Sequence, residues 1–230
     1  MRNMAGLAVM IGATLVAGCN SNNDSSTPEP SAKNVIFFLG DGMGLNTLTA
    51  ARIYSVGEEG SLTIDTLPET AFIKTFSHDA QVTGSAPSMA AYMTGVKSNN
   101  GVISMDSDAT YESDCSQSAG KPVTTLLELA KADGRGTGVV TSTRVTHATP
   151  AATYAHICNR DLENDIAAQL VPGGAGYNGA LKEGLDVVLG GGSSFFLPKA
   201  DKGKREDGRN LIDEMQAKGY QFASNLDELN

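Results

Sequence analysis

The sequence predicts an α/β fold: a three-layer α/β/α sandwich around a central, mostly parallel sheet. Three observations carry this reading. Short apolar or β-rich runs alternate with helical stretches along the chain, and strands joined through helices run parallel. The run "NVIFFLG" is apolar and bounded by polar residues, as suits a strand buried on both faces. Polar groups able to do chemistry then fall just past strands or at helix starts, where such sheets bind ligands.

In chain order, Asn34–Gly40 is expected as the first strand and "TAFIKTFS" (Thr70–Ser77) as the second. Ala86–Thr94 reads as a helix of small residues. "KPVTTLLELAKADG" follows, with Pro122 near its start and Gly134 at its end as helix punctuation. Thr137–Ser142 is a short β-rich run. Leu162–Val171 is helical by the spacing of Ile166 and Leu170, and Leu185–Gly192 returns to strand and turn. "DGRNLIDEMQAKGYQFAS" closes with a helix and one more strand.

The first residues stand apart from the fold. "MRNMAGLAVMIGATLVAGC" has one basic residue, a short apolar run and small residues before Cys19, the layout of a secretory signal rather than a membrane-spanning helix. Val16-Ala17-Gly18-Cys19 resembles a bacterial lipobox, in which the cysteine carries lipid and becomes the mature N-terminus; an ordinary cleaved signal is the alternative. The expected organisation is therefore a leader over 1–19, a flexible polar linker over 20–32, and one domain over 33–230. The protein is expected in the periplasm or at the cell surface, touching the membrane only through a lipid anchor.

A formal charge of −9 argues against a nucleic-acid partner. The one cationic cluster, Lys202–Arg205, reads as a solvated turn. With Cys19 assigned to lipid, Cys115 and Cys158 remain as a pair in an oxidising compartment, so they either form a disulfide or are two unrelated thiols.

Six side chains are candidates for chemistry. Ser85 stands at a loop-to-helix junction and either caps the helix or faces a bound anion. Asp41, in "LGDGMG", either ligates a divalent cation or caps its own turn. "TRVTHATPAATYAHICNR" adds Thr149, His147, His156 and Arg160. Arg160 offers a planar fork suited to two phosphate oxygens, or an ion pair with Asp161 or Glu163. His156 lies in an apolar run and reads as a hydrogen-bonded structural histidine.

Four segments, "NVIFFLGDGMG", "VTGSAPSMAAYMTGVKSNNG", "VVTSTRVTHATPAATYAHICNRD" and "DVVLGGG", resemble the alkaline phosphatase family in their order. The resemblance covers nearly everything from Lys33 onward. It implies hydrolysis of small phosphate monoesters through a phosphoserine, with two zinc ions and one magnesium. Ser85 matches the nucleophile, its oxygen ionised by zinc, and Ala86 follows it as in the family. Asp41 matches the carboxylate bridging a zinc and the magnesium, and Thr149 a magnesium ligand. Arg160 matches the phosphate clamp. His147 stands where members carry aspartate or histidine, and the histidine form implies indirect contact with magnesium. A homodimer is compatible with the resemblance. No general base adjoins Ser85, in keeping with activation by metal.

Two departures qualify this. Members commonly carry an aspartate before the nucleophile, which helps position the arginine; here Gly84 stands instead. The family's further metal ligands follow the segment resembling "DVVLGGG", and only three histidines occur in the sequence. The chain therefore reads as the N-terminal part of a longer enzyme, inactive by itself. The alternatives are a phosphodiesterase or sulfatase of the same superfamily, or a non-catalytic phosphate-binding lipoprotein.

Overall fold

The computed structural model describes residues 34–112 and 114–229. The expectations for the leader, with Cys19, and for the linker lie outside the described residues. Contacts divide the chain into Met1–Leu39 and Gly40–Asn230, and the second unit carries the helices and the sheet.

That unit runs α1 (Leu45–Val56), α2 (Ser85–Thr94), α3 (Leu126–Ala132), β1 (Gly138–Arg144), α4 (Ala148–Ala151), α5 (Glu163–Ala168), β2 (Val187–Gly191), α6 (Leu211–Gln216) and α7 (Leu226–Leu229). It is an α/β arrangement with a parallel pair of strands. β1 and β2 pair with Gly138 opposite Val187 and Val140 opposite Leu189, and the register breaks before Arg144 meets Gly191. Two parallel strands cannot be joined by a tight turn, and the crossover between them carries α4 and α5. None of the described helices is long and apolar enough to cross a membrane.

Residues from α2, α4, α5, β1 and the segment after α4 form one buried core. Ala86 and Ala90 of α2 and Ala148, Ala151 and Ala152 at α4 are all essentially inaccessible. α2 and α4 pack against each other, and these small buried residues belong to the same core. Tyr154 is fully buried beside them, and its hydroxyl donates to the Val145 carbonyl at 2.8 Å, so no polar group is lost to the core. Gly192 follows β2 with φ +95°, and a Cβ there would lie 2.9 Å from Arg144 Cβ; glycine lets the turn close against β1.

Several expected elements differ from the structure. Neither Asn34–Gly40 nor Thr70–Ser77 forms a strand. An apolar run becomes a strand only with ladder partners, and the only sheet among the described residues is β1–β2. Pro122 does not open α3: it makes an isolated bridge with Met105, and the helix starts four residues further on. Thr125 is the N-cap there, accepting from Glu128 N–H while the Glu128 carboxylate accepts from Thr125 N–H. Among the described residues no strand follows α6. The cationic cluster is not fully solvated either, because Arg205 is 4% exposed and donates to the Asn164 and Phe195 carbonyls while pairing with Asp207.

Candidate active site

Ser85 is the first residue of α2, and its hydroxyl does not cap the helix. Gly84 holds the cap position, and Ser88 Oγ returns to the Gly84 carbonyl at 2.9 Å. The Gly84 N–H donates to Asn100 Oδ1 at 2.8 Å, so the turn before Ser85 is tied to the segment after α2. Ser85 Oγ instead accepts from Arg160 Nη1 at 3.0 Å. Ala86 is completely buried and belongs to the core.

Arg160 is held from both ends. Its backbone N–H donates to the Gly101 carbonyl at 2.9 Å, and Ile157 and Ile103 form an antiparallel bridge just before it. Cys158, two residues earlier, is disulfide-bonded to Cys115, with S–S 2.12 Å. Gly101 has φ +81°, and a Cβ on it would meet Tyr111 Cδ2 at 2.2 Å. The ring takes that space, and Tyr111 OH donates to Asp161 Oδ2 at 2.6 Å. At its far end, Arg160 Nη2 lies 3.1 Å from His147 Nε2.

The ion pair that the sequence allowed for Arg160 is not made. Asp161 takes the Tyr111 hydroxyl, and Glu163 is held by Arg144 and by Thr146 Oγ1 at 2.6 Å. None of the ion pairs among the described residues includes Arg160.

β1 ends at Arg144; the turn that follows presents His147 as the N-cap of α4, and Thr149 sits in the first turn of that helix. Thr149 Oγ1 donates to Asp41 Oδ2 at 2.6 Å, which joins two residues far apart in sequence. His147 Nδ1 is buried with no hydrogen-bond partner. Burial first, then the positive charges of Arg160 and Arg144, hold the His147 pKa below the usual histidine range; the Glu163 and Asp41 carboxylates oppose them. A neutral ring whose Nε2 accepts from Arg160 carries its hydrogen on Nδ1. His156 is elsewhere and is structural, with Nε2 2.7 Å from Glu128 Oε1 and Nδ1 2.7 Å from the Ser104 carbonyl.

Asp41 and Thr149 supply two adjacent oxygens, the hard ligands that magnesium prefers alongside its own waters. Tetrahedral zinc needs three or four protein ligands. No group of three or more His, Cys, Asp or Glu able to hold a metal occurs among the described residues. The residues fit one side of a magnesium site and do not complete a zinc site.

Asn100, Gly101, Tyr111 and Asn159 support the site without having been singled out from the sequence. Asn159 donates to the Glu112 carbonyl at 2.7 Å and accepts from Asp161 N–H. The signal for Gly101 was present as "SNNG", an Asn-Gly step that marks a turn.

Comparison with known proteins now adds to this geometry. The family described as Alkaline phosphatase matches residues 32–230. The chain is 40% identical over 204 residues to the tissue-nonspecific alkaline phosphatase of Gallus gallus, covering 79% of this chain and 39% of that protein. It is 41% identical over 208 residues to the alkaline phosphatase of Gadus morhua, covering 80% of this chain and 43% of that one. Among solved structures, a cold-active enzyme from a psychrophilic Shewanella matches with TM-score 0.64 and 33% identity, over 83% of this chain and 41% of that one. The chain thus spans about two fifths of the length of the curated relatives it matches. With a family match over residues 32–230 behind it, this chain belongs to the alkaline phosphatase family.

Proposed function

We propose that the protein of which this chain forms part hydrolyses phosphate monoesters, with Ser85 as the attacking group. The carrying observation is the 3.0 Å hydrogen bond from Arg160 Nη1 to Ser85 Oγ. A phosphoryl group joined to that oxygen would lie within reach of a planar, permanently charged fork.

In this reading Ser85 Oγ forms a bond to phosphorus while the ester P–O bond breaks, and the alcohol departs with a proton in place of the one Ser85 gave up. Water then attacks phosphorus, the Oγ–P bond breaks, a proton from that water returns to Ser85 Oγ, and inorganic phosphate leaves. Phosphoryl transfer asks little of a protein beyond position and neutralised charge. Arg160 supplies both to the phosphate oxygens. The α2 start supplies backbone N–H groups facing the same way.

Asp41 and Thr149 would hold magnesium, which supplies positive charge beside the phosphate. The fit is supported by two solved alkaline phosphatase mutants from the Antarctic bacterium TAB5, described with Mg bound in a site called M3. The two zinc ions implied by the family resemblance need ligands beyond Asp41 and Ser85, and no step is drawn through them. Export with a lipid on Cys19 belongs to the same proposal, and a Bombyx mori relative is named a membrane-bound alkaline phosphatase.

The test is hydrolysis of p-nitrophenyl phosphate by the metal-loaded full-length protein and its Ser85→Ala variant. Ser85→Ala is expected to lose most of the activity and all incorporation of radiolabelled phosphate into protein. Preference for bis-p-nitrophenyl phosphate or p-nitrophenyl sulfate would favour a diesterase or sulfatase. Phosphate binding with no hydrolysis would leave a binding protein.

A further inference from the structure

We propose that His147 is a positioning residue for Arg160: its Nε2 accepts from Arg160 Nη2 and so aims the guanidinium at Ser85. This rests on the reading of Ser85 and Arg160 given above, and goes beyond it by assigning what sets the direction of the fork.

A long guanidinium side chain has many rotamers and binds phosphate well only when its fork is already aligned. Alignment needs an acceptor on the side away from the ligand. The backbone N–H of Arg160 is anchored at Gly101, but that contact leaves the side chain free to swing. The neighbouring acids are engaged, Asp161 with Tyr111 and Glu163 with Arg144. The residue before the serine has no side chain, although a Cβ on Gly84 would meet nothing closer than Asn100 Oδ1 at 3.5 Å. The Ser85 hydroxyl is itself the target. Among the hydrogen bonds of the described residues, only the His147 ring then remains as a second side-chain acceptor, 3.1 Å from Nη2.

The chemistry of this acceptor differs from that of a carboxylate. An imidazole nitrogen orients the fork without neutralising it, so Arg160 keeps its full charge for the phosphate. The backbone fixes the ring from behind: His147 N–H donates to the Arg144 carbonyl at 3.0 Å, and the His147 carbonyl accepts from Ala151 N–H at 2.9 Å.

The experiment uses the metal-loaded full-length protein and titrates inorganic phosphate by calorimetry, with metal content measured on every sample. His147→Ala is expected to weaken phosphate binding about tenfold and to raise KM for p-nitrophenyl phosphate more than it lowers kcat. His147→Leu repeats the measurement if the alanine variant folds poorly. His147→Gln, whose Oε1 reaches the place of Nε2, is expected to stay within about twofold of the wild type. In an Arg160→Ala background, removing His147 is expected to cost nothing further. Unchanged phosphate affinity, additive losses in the double variant, failure of His147→Gln to recover binding, or a loss that follows metal content would each overturn the proposal. Phosphate binding of this pattern without hydrolysis would overturn the catalytic reading of Ser85 and leave the role of His147 standing.

Discussion

Arg144 and Glu163 form a two-pronged ion pair, with Nε 2.8 Å from Oε2 and Nη2 2.9 Å from Oε1. The Glu163 side chain is nearly buried while that of Arg144 is about half exposed. The pair ties the end of β1 to the first turn of α5, and it removes from Arg160 an acid only three residues away. Specificity of pairing here is a matter of which cation reaches the carboxylate first in space, not in sequence.

Glu163→Gln keeps the shape of that side chain and removes its charge. The variant is expected to lose about 1.5–3 kcal/mol of stability, the range for a hydrogen bond to a charged group. Guanidinium unfolding at constant slope would show a lowered midpoint. An unchanged midpoint would mean that water replaces Glu163 around Arg144 without cost.

Stability should also fall on the alkaline side through His156. Burial opposes its charged form, but hydrogen bonds to Glu128 and to the Ser104 carbonyl outweigh it, and its pKa is raised above the ordinary 6.5. Glu128 is shifted the other way: burial raises its pKa, and hydrogen bonds from His156, Asn178 and Thr125 N–H bring it below 4.5. A raised histidine stabilises fully below its unfolded pKa and loses that contribution as pH climbs through the folded one; a depressed carboxylate loses its contribution as pH falls through its folded value. The pair therefore contributes most between about pH 5 and 6.5. Melting temperatures from pH 5 to pH 9, a range in which only the histidine limb is seen, should decline in the wild type. The decline should flatten in His156→Gln; an equal slope in both would refute this origin.

The Cys115–Cys158 disulfide closes a loop across 43 residues of sequence. Loop-closure entropy for that length corresponds to about 4 kcal/mol in the unfolded chain. The double variant Cys115→Ser/Cys158→Ser is expected to melt lower by an amount of that order. Because Cys158 lies two residues before Arg160, the variant should also bind inorganic phosphate more weakly. Calorimetry separates the two effects, and a variant that melts early yet binds phosphate normally would show that the bridge serves stability alone.

The sequence was most readable where local rules act alone. Gly84 before a run of small residues announces α2, and Thr125-Leu126-Leu127-Glu128 spells the capping box that opens α3, a better signal than the Pro122 that stood before it. α1, between Gly44 and Gly57, could have been found from its glycine boundaries. Asn34–Gly40 and Thr70–Ser77 carry strand composition, but composition cannot supply the neighbouring strand that makes a ladder. The site residues Ser85, Arg160 and His147 came into view as individuals, and so did Asp41 and Thr149. The resemblance grouped Ser85 with Arg160 and Asp41 with Thr149; the contact of Arg160 with His147 stayed out of view, because it depends on Glu163 and Asp161 being engaged by Arg144 and Tyr111.

The packing of α2 against α4 has a consequence for how such a site tolerates change. Ser85 rides on one of these helices, Thr149 on the other and His147 at its N-cap, so the buried alanines of both helices help to set the gap across which they work. Replacing Ala90 or Ala151 by valine would keep the core greasy and the fold recognisable. It would still act as a shim, widening the aperture between the two helices and leaving every functional group intact but out of range. Variation in this chain is thus constrained by calibre at positions that do no chemistry.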